Sequence, residues 1–224
     1  MLIGLVALGA TAFSGAREES GTESQAARCA RFTADSADRA AHDLGPGTSP
    51  TIVVVGDSWS VGLGLDDPAT AWPSRLPGRV HVAGYSGSGF SEDASPCGAV
   101  SYADRAAGAL ADAPPGATVV VEGGLNDWDR TDAEITDGFE RLLGVVGTHP
   151  LLVVGPAAAP ARAAFVARVD AVLQHLCDAE GVAYLDPSGL TLDYLPDGLH
   201  PTQAGQERFG GFVAAALADP PVAR

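Results

Sequence analysis

The stretch Thr51-Ile52-Val53-Val54-Val55-Gly56-Asp57-Ser58-Trp59-Ser60 decides how the rest of the chain is read. Thr51–Val55 is an unbroken β-branched run, which marks a buried strand. Gly56 then allows a tight turn, and that turn projects a side chain over the edge of a sheet. The residue projected is Ser58. Taken alone, Gly-Asp-Ser fits an Asp or Ser helix cap as well as it fits a nucleophile.

Four further apolar runs follow, at Arg79–Val82 with its flanking Ala83, Thr118–Val121, Leu151–Val154 and Val182–Leu185. Helical patterns separate them. Tyr102–Ala111 is rich in alanine, and Ala133–Val146 sets Ile135, Phe139, Leu142, Leu143 and Val146 on one face. Arg162–Glu180 does the same with Phe165, Val166, Val169, Leu173 and Leu176, and Thr202–Leu217 closes the series. A weaker stripe over Arg28–Leu44 precedes the first strand and ends at Gly45-Pro46-Gly47. Strands alternating with helices predict an α/β fold, a three-layer α/β/α sandwich around a five-stranded parallel sheet. Right-handed crossovers then bring the groups that follow each strand to one edge of that sheet.

The residues at that edge are chemically informative. Asp197-Gly198-Leu199-His200 sets a carboxylate three residues before a histidine, within reach of its Nδ1–H. His42, His81, His149 and His175 lack such a partner at short range. Gly84-Tyr85-Ser86-Gly87-Ser88-Gly89 follows the second strand, and Gly123-Gly124-Leu125-Asn126-Asp127 follows the third. A glycine N–H and a side-chain amide beside a nucleophile can hold an oxyanion, although each segment alone also suits an ordinary loop. The spacing Gly-x-x-Gly-x-Gly does not match a dinucleotide fingerprint.

Four such blocks in this order resemble the SGNH hydrolase superfamily, the GDSL esterases and lipases, over Thr51 to Leu217. The resemblance implies the flavodoxin-like fold of that superfamily, with Ser58 as nucleophile, His200 as general base and Asp197 orienting it. It implies an oxyanion hole from the N–H groups of Ser58 and Gly87 and the side chain of Asn126, with Gly84 as the alternative backbone donor. Trp59 departs from the family's usual leucine, and the second block lacks its usual asparagine. Trp59, Tyr85 and Trp128 lie close to the motif residues and are expected to line a substrate pocket. The expected activity is hydrolysis of small or short-to-medium acyl esters through an acyl-enzyme, with no cofactor and no metal. An acyltransferase with a sugar or lipid alcohol acceptor is the alternative. A non-catalytic binding protein on the same scaffold is a more distant one.

Composition sets the surroundings of this chemistry. The formal charge is −15, from 28 acidic and 13 basic residues, which disfavours nucleic acid and anionic membranes as partners and mildly disfavours anionic esters. Residues 1–16 are apolar or small and resemble a secretory signal, although no Lys or Arg precedes them. A secreted or extracytoplasmic monomer is expected, with no stable insertion of the mature chain in a membrane and a small-molecule ester as its partner. Residues 17–50 read as a linker and a helix, 51–218 as the catalytic domain and 219–224 as a tail. Three cysteines leave one over if a disulfide forms. Cys177 lies in the apolar stripe of its helix, so a Cys29–Cys97 bridge is favoured.

Overall fold

The computed structural model describes residues 23–45 and 47–219. The leader expected at 1–16 and residues 220–224 of the tail lie outside this range. Five parallel strands form one sheet: β1 (Thr51–Gly56), β2 (Arg79–Gly84), β3 (Thr118–Glu122), β4 (Leu151–Val154) and β5 (Ala183–Leu185), in the order β2-β1-β3-β4-β5. The helices are α1 (Gln25–Ala40), α2 (Ser58–Val61), α3 (Tyr102–Leu110), α4 (Asp132–Val146), α5 (Ala163–Glu180) and α6 (Gln203–Ala218). The expected α/β/α sandwich is therefore the observed fold.

Alternation along β1 divides the core into two layers. Ile52 and Val54 face Trp59, Trp72 and, from α6, Phe209 and Val213. Val53 and Val55 face Tyr102 and Ala106 of α3, Phe139 and Leu142 of α4, and Leu173 of α5. Both faces are covered, so the strand carries apolar side chains at every position instead of at every second one. Capping residues set several helix starts. Ser101 with Asp104, and Thr131 with Glu134, form capping boxes that satisfy the first free N–H groups of α3 and α4.

The largest difference from expectation is at α1, which begins within the stretch read as a linker and stops short of Leu44. Ser24 caps it by accepting the Ala27 N–H at 3.2 Å. Beyond the helix, Leu44 turns into an antiparallel bridge with Val80, through bonds of 2.7 and 2.8 Å. The apolar periodicity continued past the helix because Leu44 packs against the core from an extended segment. The Cys29–Cys97 disulfide, with Cα atoms 5.4 Å apart, ties α1 to the loop between β2 and α3. Cys177 is free and buried, and burial together with nearby Asp178 pushes its thiol up to about 12. No described helix is long and apolar enough to cross a membrane.

Candidate active site

The sheet changes winding direction between β1 and β3, and the segments that leave these strands open a crevice there. Gly56 ends β1 where a Cβ would collide with the Ser60 side chain and press on Glu122, so only glycine permits the turn. Asp57 caps α2, its Oδ1 accepting the Trp59 N–H at 2.9 Å. Ser58 is thereby the first residue of α2 and only 6% exposed. Asp57 makes the helix cap of Gly-Asp-Ser, while Ser58 faces the crevice.

His200 arrives from the segment between β5 and α6. Its Nε2 lies 3.0 Å from Ser58 Oγ, and its Nδ1 lies 2.6 Å from Asp197 Oδ2. The other Asp197 oxygen accepts the backbone N–H groups of Leu199 and His200 at 2.8 and 3.0 Å. This turn explains the Asp-x-x-His spacing, because the carboxylate closes over the backbone that carries the histidine. Burial alone would raise the Asp197 pKa. The bonds from His200 and Leu199 outweigh it and hold the carboxyl below its usual range.

The neighbouring strand ends complete the crevice. Gly87 adopts φ +81°, a left-handed conformation suited to glycine, and no described acceptor takes its N–H. Gly87 lies in the wall of the crevice, whereas Gly84 is the last residue of β2, paired in register with Gly56. Asn126 Nδ2 donates to the Ser88 carbonyl at 2.8 Å and to Asp57 Oδ2 at 3.1 Å. Half-buried Arg105 clasps the same region from α3, donating to Gly56 O, Ser88 Oγ and Val100 O as well as to Ala83 O. Burial pushes Asp57 up to about 6, against the Trp59 N–H bond and the charges of His200 and Arg105. Asp127 is likewise pushed up to about 7 by burial, while it accepts the Ser91 and Phe90 N–H groups and pins the loop after β2.

An ordered serine–histidine–carboxylate chain at the switch point of a parallel sheet agrees with the match of one sequence family. The model of the GDSL-like lipase/acylhydrolase family covers residues 54–208. The chain belongs to this family. Solved structures with the same fold include a carbohydrate acetylesterase from Sinorhizobium meliloti, 22% identical, with a TM-score of 0.62, covering 76% of this chain and 99% of that one. An inhibitor-bound aryl esterase from M. smegmatis is 21% identical, with a TM-score of 0.65 and coverage of 76% and 99%. A family two carbohydrate esterase from Clostridium thermocellum, in complex with cellohexaose, is 13% identical, with a TM-score of 0.60 and coverage of 78% and 65%. No curated protein matches the chain by sequence.

Within this GDSL-family crevice the three aromatic residues expected at the pocket separate. Trp128 lines it, half-buried beside Arg162. Trp59 does not, being 1% exposed in the core beneath, packed on Phe209 and Tyr194, with its indole N–H on the Leu199 carbonyl at 3.1 Å. Tyr85 is also buried, and its hydroxyl meets Thr33 Oγ1 at 3.3 Å and the Cys29 carbonyl at 3.4 Å, so it fastens α1 to the scaffold. Both were expected as pocket walls because they adjoin the motifs in sequence. The turn that exposes Ser58 sends the next side chain inward. The wall also includes Arg28, Phe32 and Arg162, which no sequence motif marked.

Proposed function

We propose that this GDSL-family hydrolase is a serine esterase of small carboxylic esters, with Ser58, His200 and Asp197 as its triad. The observation that carries this reading is the continuous relay from Ser58 Oγ through His200 to Asp197, with contacts of 3.0 and 2.6 Å. Asp197 accepts the Nδ1–H, which leaves Nε2 to take the serine proton as Oγ attacks the ester carbonyl. The oxyanion is held by the N–H groups of Ser58 and Gly87 and by Asn126. The Ser88 bond fixes the plane of that amide, and its longer contact to Asp57 gives way to the oxyanion. His200 then protonates the departing alcohol, and water activated by the same imidazole hydrolyses the acyl-enzyme.

The crevice has a volume of about 390 Å³, which suits a short acyl group and a compact alcohol better than a long lipid chain. Among the similar structures are proteins named as a carbohydrate acetylesterase and an aryl esterase, which supports a small-ester reading. An extracytoplasmic setting accords with the Cys29–Cys97 disulfide, because such bonds persist in oxidising compartments. Hydrolysis of p-nitrophenyl acetate by the protein and by Ser58→Ala tests the reading. Turnover is expected to vanish in the variant, and equal turnover in both would overturn the assignment.

A further inference from the structure

The charge of the crevice opposes the charge of the protein. The chain carries −15 overall, yet the described residues lining the cavity include Arg28 and Arg162 and no Asp or Glu. Six arginines elsewhere are neutralised locally. Arg31, Arg75, Arg79, Arg130, Arg141 and Arg168 each pair with at least one carboxylate. Among the described arginines, Arg28, Arg39, Arg105, Arg162 and Arg208 pair with no carboxylate, and of these only Arg28 and Arg162 line the crevice.

Arg162 is also held in place without spending its donors. Its guanidinium lies 4.7 Å from the Trp128 ring centre, and Trp128 is braced by Phe165 in an edge contact at 5.0 Å. Nε is buried with no partner, and Nη1 reaches only its neighbour's carbonyl, Ala161 O, at 3.4 Å. Asp129, which feels the charge of Arg162, is already bound by Arg130 at 2.8 Å. The cation is therefore positioned but not neutralised by protein. Arg28 stands on α1, against the β2 side of the sheet, and Arg162 follows β4. In sheet order, Ser58 after β1 and Asn126 after β3 fall between them.

We propose that the ester admitted to this crevice carries a carboxylate, held on one side of the reacting carbonyl by Arg162, with Arg28 on the opposite side adding to the positive field. The proposal rests on the esterase reading above and specifies its substrate class. A planar guanidinium matches a carboxylate in two parallel hydrogen bonds, and the partly enclosed crevice strengthens the attraction. The surrounding negative surface does not prevent this, since exposed charges beyond about 8 Å are screened at physiological salt.

The test uses two matched pairs of ligands. 4-Acetoxybenzoate against 4-acetoxybenzamide places the charge on the alcohol side. The umbelliferyl monoester of adipic acid against its methyl ester places it on the acyl side. Binding is measured by calorimetry on Ser58→Ala, where no turnover intervenes, and kcat/KM is measured on the unmodified protein. In one pair the carboxylate is expected to bind about tenfold more tightly than its neutral counterpart, the scale of one charge-assisted contact. That ratio should fall several-fold in Arg28→Gln/Arg162→Gln and at 0.5 M NaCl, a chosen assay concentration at roughly which the screening length is only a few ångströms. Equal binding of charged and neutral ligands in both pairs, or a ratio unmoved by the double substitution, would overturn the proposal. Selective carboxylate binding without turnover of any ester would uphold the anion site and refute the esterase reading instead.

Discussion

Replacing Trp59 by phenylalanine tests whether the residue after the serine supports the histidine loop. The indole is 1% exposed, and its N–H donates to the carbonyl of Leu199, the residue before His200, at 3.1 Å. Its ring meets Phe209 edge-on at 5.3 Å, and the Trp59 carbonyl accepts from Gln206 of α6 at 3.3 Å. Phenylalanine keeps most of the ring contact and removes the donor. A lost hydrogen bond costs about 0.5–1.5 kcal/mol, and an unpartnered buried carbonyl about 1–3 kcal/mol. Leu199 is only half-buried, so water can reach its carbonyl, and a total of about 2 kcal/mol follows from the lower part of these ranges. The same change frees the segment bearing His200. Small misplacements of reacting groups are costly, so kcat should drop by about tenfold. KM should change little, because Trp59 does not line the crevice. Urea unfolding together with p-nitrophenyl acetate kinetics well below the melting temperature separates the two effects. A kcat within about twofold of the parent and stability within about 0.5 kcal/mol would refute the coupling.

Other perturbations probe the remaining parts of the site. Asn126→Ala removes the amide proposed for the oxyanion and should lower kcat by about 10²–10³ with the fold intact by circular dichroism; a smaller loss than tenfold would exclude that role. Joint Cys29→Ala and Cys97→Ala substitution opens a link across 68 residues, and the chain-entropy relation sets the expected destabilisation at about 4 kcal/mol. A loss under about 1 kcal/mol by denaturant titration would show that α1 docks without it. Burial pushes Asp57 to about 6 and Asp127 to about 7, while burial and then the charge of Asp57 raise Glu122 well above the carboxylate range. Each of these groups binds its proton more tightly folded than unfolded, so their contribution to stability is greatest near pH 4 and falls as pH rises through the folded values. Glu122→Gln should therefore leave stability at about pH 4 nearly unchanged and raise it at about pH 8, and an unaltered pH slope in chemical denaturation would contradict this.

The strands, the helices α3 to α6 and the serine and histidine loops were all legible in the chain itself. Covalent sequence carries that information because β-branched runs, apolar stripes and the Asp-x-x-His turn are local patterns whose period or reach is a few residues. The family likeness worked for the same reason, since each block is short and sits at the end of a strand. What the chain could not disclose depends on segments that meet from far apart. The start of α1 followed a serine cap, and its docking on β2 brings Arg28 and Phe32 to a crevice whose serine lies beyond the next strand. Arg162 reaches the same crevice only because β4 lies beside β3 and Trp128 offers its face. Conversely, Trp59 and Tyr85 adjoin the motifs in sequence but are turned into the interior by the backbone that exposes Ser58 and Gly87. Sequence alone named the candidate residues for ester chemistry. The tertiary structure decided which side chains surround it, because cleft walls are formed by packing between elements and have no period of their own.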